Sequence, residues 1–151
     1  MINYYKKEYK LMLAVDCTIF GFDHEGLKIL LIRRAFQPQK GKWSLVGGFL
    51  KRKETLPDAA GRILKTYTGL EDIYLEQVHT FSDIDRDPGD RTVSTAYYAL
   101  INIAEHPPHL NEKYSARWHD QSPQADFRSQ QNGKVCPGPT QAKSFNRTHQ
   151  L

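Results

Sequence analysis

Residues 48–70 read GFLKRKETLPDAAGRILKTYTGL, and their charged groups limit the chemistry open to this segment. Two carboxylates, Glu54 and Asp58, stand about one helical turn apart, followed by the cations Arg62 and Lys65. Magnesium is a hard ion that seeks oxygen. One or two carboxylates hold a hydrated magnesium only weakly. Arg62 and Lys65 oppose any cation. Residues 59–70 carry no carboxylate.

A helix must carry these groups, and the sequence predicts one. Leu56, Ala59, Ala60, Ile63, Leu64 and Tyr67 recur at helical spacing and form one apolar stripe. Thr55 is a suitable N-cap, Pro57 and Asp58 suit the first turn, and Gly69 suits the C′ position. Strands flank the helix. LMLAVDCTIFGF (11–22) and LKILLIRR (27–34) form a hairpin through the turn DHEG. AFQPQKGK (35–42) is a loop, and WSLVGGFL (43–50) reads as a short strand running into a glycine turn. IYLEQVHTFS (73–82) and TVSTAYYALINI (92–103) are strands separated by the charged loop DIDRDPGDR. HPP at 106–108 breaks the chain, and ARWHD (116–120) supplies one short final strand.

The chain has 151 residues, which suits one domain with a sizeable core. Residues 1–120 carry 17 Lys and Arg against 16 Asp and Glu, while residues 121–151 carry 4 against 1. The net charge of +4 therefore belongs mostly to the tail, and the body gives no charge argument for nucleic acid. No apolar run approaches the roughly 18–20 residues of a membrane span, and the polar, aromatic start is no signal peptide. Cys17 and Cys136 show no metal-ligand spacing, so a reduced, cytoplasmic protein without membrane association is expected.

The segment 48–70 resembles the box of the Nudix superfamily: Gly, five residues, Glu, seven residues, then Arg-Glu-apolar-x-Glu-Glu-x-Gly-apolar. Gly48, Glu54, Arg62, Leu64, Gly69 and Leu70 fall on register. The three helix glutamates do not: Ile63, Thr66 and Tyr67 stand in their places. LLIRRA, GKWSLVGGFL and TFSDIDRDPGDRTVSTAYYAL extend the resemblance over about residues 10–120. It implies an α/β fold, a mixed, curved sheet sandwiched between helices, for a domain at 1–120.

Nudix enzymes hydrolyse nucleoside diphosphate derivatives with divalent metal held by those glutamates. A box that keeps its frame and loses them is similar to that of the Nudix-related transcriptional regulators. In these a Nudix-like domain senses ADP-ribose or the pentose L-arabinose, and a following winged helix-turn-helix domain binds DNA. The resemblance implies a non-catalytic sensing domain, a homodimer, and DNA contact only through a winged domain absent from this chain. No catalytic residue and no metal ligand is assigned; Glu54 and Asp58 are weak magnesium candidates. The implied ligand walls are Arg33 or Arg34 for phosphate or hydroxyl groups, Trp43 for stacking, and Gly47, Gly48 and Phe49 for close backbone approach. Arg86 and Arg91 in the charged loop complete the set. Trp43 serves equally well as core, Arg86 and Arg91 as partners of neighbouring aspartates, and His79 and His119 as structural residues. Two other readings stay open: a magnesium-dependent ADP-ribose pyrophosphatase, and a scaffold kept for dimerisation.

Residues 121–151 differ in character. They are rich in Gln, Ser, Pro and Gly, without periodicity, a composition that predicts disorder. Read one base forward with permitted third bases, residues 121–149 can encode RAPRLIFDHNKMVKYALAQLKQKASTEPI. This amphipathic pattern resembles the segment that follows the sensing domain in the regulators. A single-base deletion or insertion near codon 120 accounts for such a tail; a native flexible tail is the alternative.

Overall fold

The computed structural model describes residues 4–35, 40–106 and 114–120. After a 3-10 turn at Tyr4–Lys6 come β1 (Met12–Asp23), β2 (Gly26–Arg33), β3 (Trp43–Ser44), β4 (Val46–Phe49), helix α1 (Leu56–Thr68), β5 (Glu76–Phe81), β6 (Thr92–Asn102) and β7 (Arg117–Asp120). The seven strands form one mixed sheet in the order β3-β2-β1-β6-β5, with β4 also beside β1 and β7 beside β2. β1 and β6 run parallel from Met12↔Thr92 to Phe22↔Asn102. The other pairings are antiparallel.

Side-chain alternation divides β1 between two faces. Val15, Cys17 and Ile19 point to the main core with Leu30, Ile32, Val46, Tyr97, Ala99 and Ile101. Phe20 points the other way, into a smaller cluster with Ile29, Leu31, Trp43 and Leu45. Helix α1 covers the first face. Ala59, Ala60, Ile63 and Leu64 are buried against it, and Leu56 and Tyr67 pack at its margin. The expected apolar stripe is thus the buried one, extended by Thr68. The Thr68 hydroxyl donates to the Leu64 carbonyl at 2.7 Å and accepts the Leu70 N–H at 3.1 Å.

Both ends of α1 fall where the sequence puts them. The Thr55 hydroxyl accepts the Asp58 N–H, and Asp58 accepts the Thr55 N–H at 3.0 Å, closing a capping box. Gly69 ends the helix in the left-handed region at φ 78°. The glycine turn expected after Trp43 is not formed. Gly47 and Gly48 lie inside β4, paired with Asp16 and Val15. A β-carbon at Gly48 would stand 3.2 Å from the Ile63 side chain, so this glycine lets α1 close onto the strand. Among the described residues α1 is the one α-helix, and it covers one face of the mixed sheet. No helix among the described residues is long and apolar enough to cross a membrane. The expectations for residues 121–151 lie outside the described residues.

Ile63 is fully buried and Thr66 is exposed. Ile63→Glu is expected to destabilise the domain by roughly 3 kcal/mol or more, because it buries an unpaired carboxylate. Thr66→Glu should stay within about 0.5 kcal/mol of the parent. Urea unfolding midpoints check this; equal losses in the two variants would contradict the placement.

Candidate functional site

The box residues occupy the junction between β4 and α1. The Arg62 guanidinium reaches back across it. Its Nε donates to Glu54 Oε1 at 2.5 Å, and its Nη2 donates to Glu54 Oε2 at 2.9 Å and to the Phe49 carbonyl at 3.0 Å. Glu54 also accepts the Lys51 N–H at 3.0 Å. Its carboxyl is held below the ordinary range chiefly by the hydrogen bond from Arg62. Asp58 is likewise depressed, by the Thr55 side chain and then its backbone N–H. The two weak magnesium candidates therefore serve as a clasp and a cap.

The glutamate positions of the box are filled in three different ways. Ile63 faces the core against Gly48. Tyr67 meets Tyr114 edge to face, with centroids 4.6 Å apart. Thr66 lies on the exposed side. Among the described residues no three His, Cys, Asp or Glu side chains are placed to hold an ion. Magnesium needs several oxygen donors, and this helix face offers a hydrocarbon, a phenol ring and a hydroxyl. The residues present do not fit that metal.

The expected ligand residues separate. Arg33 donates from Nε to the Gly41 carbonyl at 3.0 Å and lies over the Trp43 ring at 5.8 Å. Trp43 belongs to the cluster of Phe20, Ile29 and Leu31, on the face away from α1. Its ring meets His119 edge to face at 4.5 Å. Burial lowers the His119 pKa, with Arg117 adding to the effect. Gly47 turns to the same face, away from α1, because a β-carbon there would point at Asp16. Phe49, two residues on, shares that face and is half-exposed. Arg86 stacks over Phe81 at 5.8 Å, and its Nη1 is buried without a hydrogen-bond partner among the described residues. Phe81 stands opposite Ser94, again on the face away from α1.

Two of the expected residues, Gly48 and Arg91, do not join this group. Gly48 faces α1. Arg91 donates from Nη1 to the carbonyls of Ser82 and Asp83 at 2.8 and 2.9 Å, stapling the charged loop. Arg34 clasps its own loop through the backbone, donating to the Lys42 carbonyl at 2.9 Å and accepting the Gly41 N–H at 2.8 Å. Two residues were missed. Asp16 sits mid-strand on the face away from α1, and Ser94 donates a short hydrogen bond to it. A carboxylate inside the apolar run LMLAVDCTIFGF was the available signal.

Residues 10–127 match the NUDIX domain family. The chain belongs to that family. This Nudix domain is 36% identical over 121 residues to the ADPR responsive transcriptional repressor NtrR of Acinetobacter baylyi, covering 78% of this chain and 48% of the repressor. It is 35% identical over 91 residues to an ADP-ribose pyrophosphatase of Methanocaldococcus jannaschii, covering 60% of this chain and 54% of that enzyme. The Nudix domain thus spans about half the length of the curated relatives it matches. Among solved structures it resembles the NUDIX domain of Shewanella oneidensis NrtR complexed with ADP ribose. The TM-score is 0.67 at 30% identity, over 77% of each chain. Relatives thus include both ADP-ribose-responsive regulators and ADP-ribose pyrophosphatases.

The clasp has a consequence for acid stability. The Glu54 pKa is lowered in the folded state, so its contribution is fully present above the ordinary value of 4.5. It is lost as pH falls from there through the depressed folded value. Glu54→Gln should be less stable than the parent at neutral pH, and the gap should narrow as pH falls through that window. Thermal unfolding across pH checks this; a gap that does not change with pH would contradict it.

Proposed function

We propose that this Nudix domain binds ADP-ribose without cleaving it and acts as the sensing part of a transcriptional regulator. One observation carries the reading: two of the three helix positions that hold metal-binding glutamates in the box pattern are packed side chains here, Ile63 in the core and Tyr67 against Tyr114. A receptor must leave its ligand intact, and loss of the metal carboxylates removes turnover while leaving a binding surface. Differential binding then shifts a conformational equilibrium. The ADP-ribose named for the repressor and for the Shewanella domain supports that ligand. Two arginines stacked on rings, Arg33 on Trp43 and Arg86 on Phe81, support a ligand that carries phosphate over a neutral pentose such as L-arabinose. DNA contact in such a regulator would come from a separate winged domain.

Incubation with ADP-ribose and magnesium tests the reading. No AMP or ribose 5-phosphate should form, while ADP-ribose at saturating concentration should raise the unfolding temperature by several degrees, more than L-arabinose does. Turnover above about 1 s⁻¹ would make the protein an enzyme and overturn the proposal. No thermal shift with ADP-ribose would also overturn it; a shift with L-arabinose alone would assign the pentose, and none with either would leave a scaffold.

A further inference from the structure

Strand β6 runs on past the end of its neighbour β5. Glu76 of β5 stands opposite Tyr98, and no β5 residue stands opposite residues 99–102. On its other side β6 stays paired with β1 as far as Phe22↔Asn102. The Ile103 N–H donates to the Phe22 carbonyl at 3.0 Å. Backbone groups alternate in direction along a strand, so the N–H and carbonyl of Leu100 point away from β1, to the side where β5 has stopped. Among the described residues no backbone group meets them there. A strand edge with unmet donors and acceptors is a template for another strand.

The connection from α1 to β5 leaves a groove along this edge. Asp72, at φ 55°, turns the chain, and Ile73 and Leu75 pack against the main core. Tyr74 between them is 82% exposed. The groove has a volume of about 500 Å³, and Phe22, Tyr74 and Leu100 give it an exposed apolar surface. Asp72, Glu76 and Glu105 rim it, and its one basic side chain among the described residues is His106. Glu76 accepts the Tyr98 hydroxyl and Glu105 accepts the Asn102 amide, both at 3.0 Å, so each holds a neutral partner rather than a cation. The nearby Lys65 is ion-paired with Glu71 at 2.5 Å.

We propose that this edge binds an extended, basic peptide segment of a partner protein as an added strand. Leu100 supplies the main-chain hydrogen bonds, the exposed apolar side chains cover alternate residues of the peptide, and the carboxylates receive its lysines or arginines. Charge selects the occupant. A second copy of this chain, or an acidic segment, would set carboxylates against carboxylates at the rim. The inference is carried by the sheet edge and does not depend on the ADP-ribose reading.

Fluorescence polarisation with the whole chain tests it, using a labelled peptide of alternating lysine and valine. This peptide should bind in the high micromolar range, as suits so small a contact, and its counterpart of glutamate and valine should not. Glu76→Gln combined with Glu105→Gln keeps both neutral hydrogen bonds at exposed positions, and should weaken binding severalfold. The peptide residue that bonds Leu100 shares its apolar face, so N-methylation of the valine amides should abolish binding, while N-methylation of the lysine amides should not. Equal effects of the two methylations overturn the inference, because charge alone would then explain the contact. Unchanged binding in the double variant, equal binding of the glutamate peptide, or no binding by the parent at about millimolar peptide also overturns it. So does a dimer of the chain, seen by sedimentation, that Leu100→Arg dissociates, because the edge would then belong to a second copy.

Discussion

Helix α1 reaches strand β4 through a contact between a glycine and an isoleucine. Gly48 offers no side chain, so the Ile63 side chain closes to within 3.2 Å of where a β-carbon would stand. Most of the domain's arrangement follows from that contact. It seats Ala59, Ala60, Ile63 and Leu64 on the central strands, closing the main core. It also holds the β4–α1 loop short enough for Arg62 to reach both Glu54 and the Phe49 carbonyl. A carboxylate at position 63 would be trapped in hydrocarbon at this contact. The packing that stabilises the fold and the metal chemistry of the box pattern therefore exclude one another here.

The two neighbouring glycines divide the labour between the two faces. Gly48 makes room for the helix, and Gly47 makes room for the Asp16 carboxylate on the other face. One short strand thus couples the buried core to the surface that carries Arg33, Trp43, Asp16 and Arg86. The face covered by α1 is apolar and packed. The face away from it carries cations, aromatic rings and a carboxylate, with no described helix over them.

Much of this was legible in the sequence where the signals are local. The helix came out residue by residue because Thr55 caps it, Gly69 ends it, and the apolar period fixes its buried face. β1, β2, β6 and even the four-residue β7 came from β-branched and aromatic runs between turn residues. The errors arose where a residue's use depends on a distant partner. A glycine pair reads as a turn locally, yet Gly47 and Gly48 are extended because each face needs a side chain kept away. Asp16 was overlooked because its partner Ser94 is 78 residues further along, brought alongside by the parallel β1–β6 pairing. Nothing local in the sequence shows that Arg91 binds the carbonyls of Ser82 and Asp83.

Two of the helix positions used for metal in the box pattern, Ile63 and Tyr67, belong to packing here. The most direct measurement is a titration of the protein with manganese, followed by the paramagnetic resonance signal of the free ion. No site tighter than about millimolar is expected, the weak end for a pair of committed carboxylates. A stoichiometric site in the low micromolar range that is lost in Glu54→Gln would contradict it.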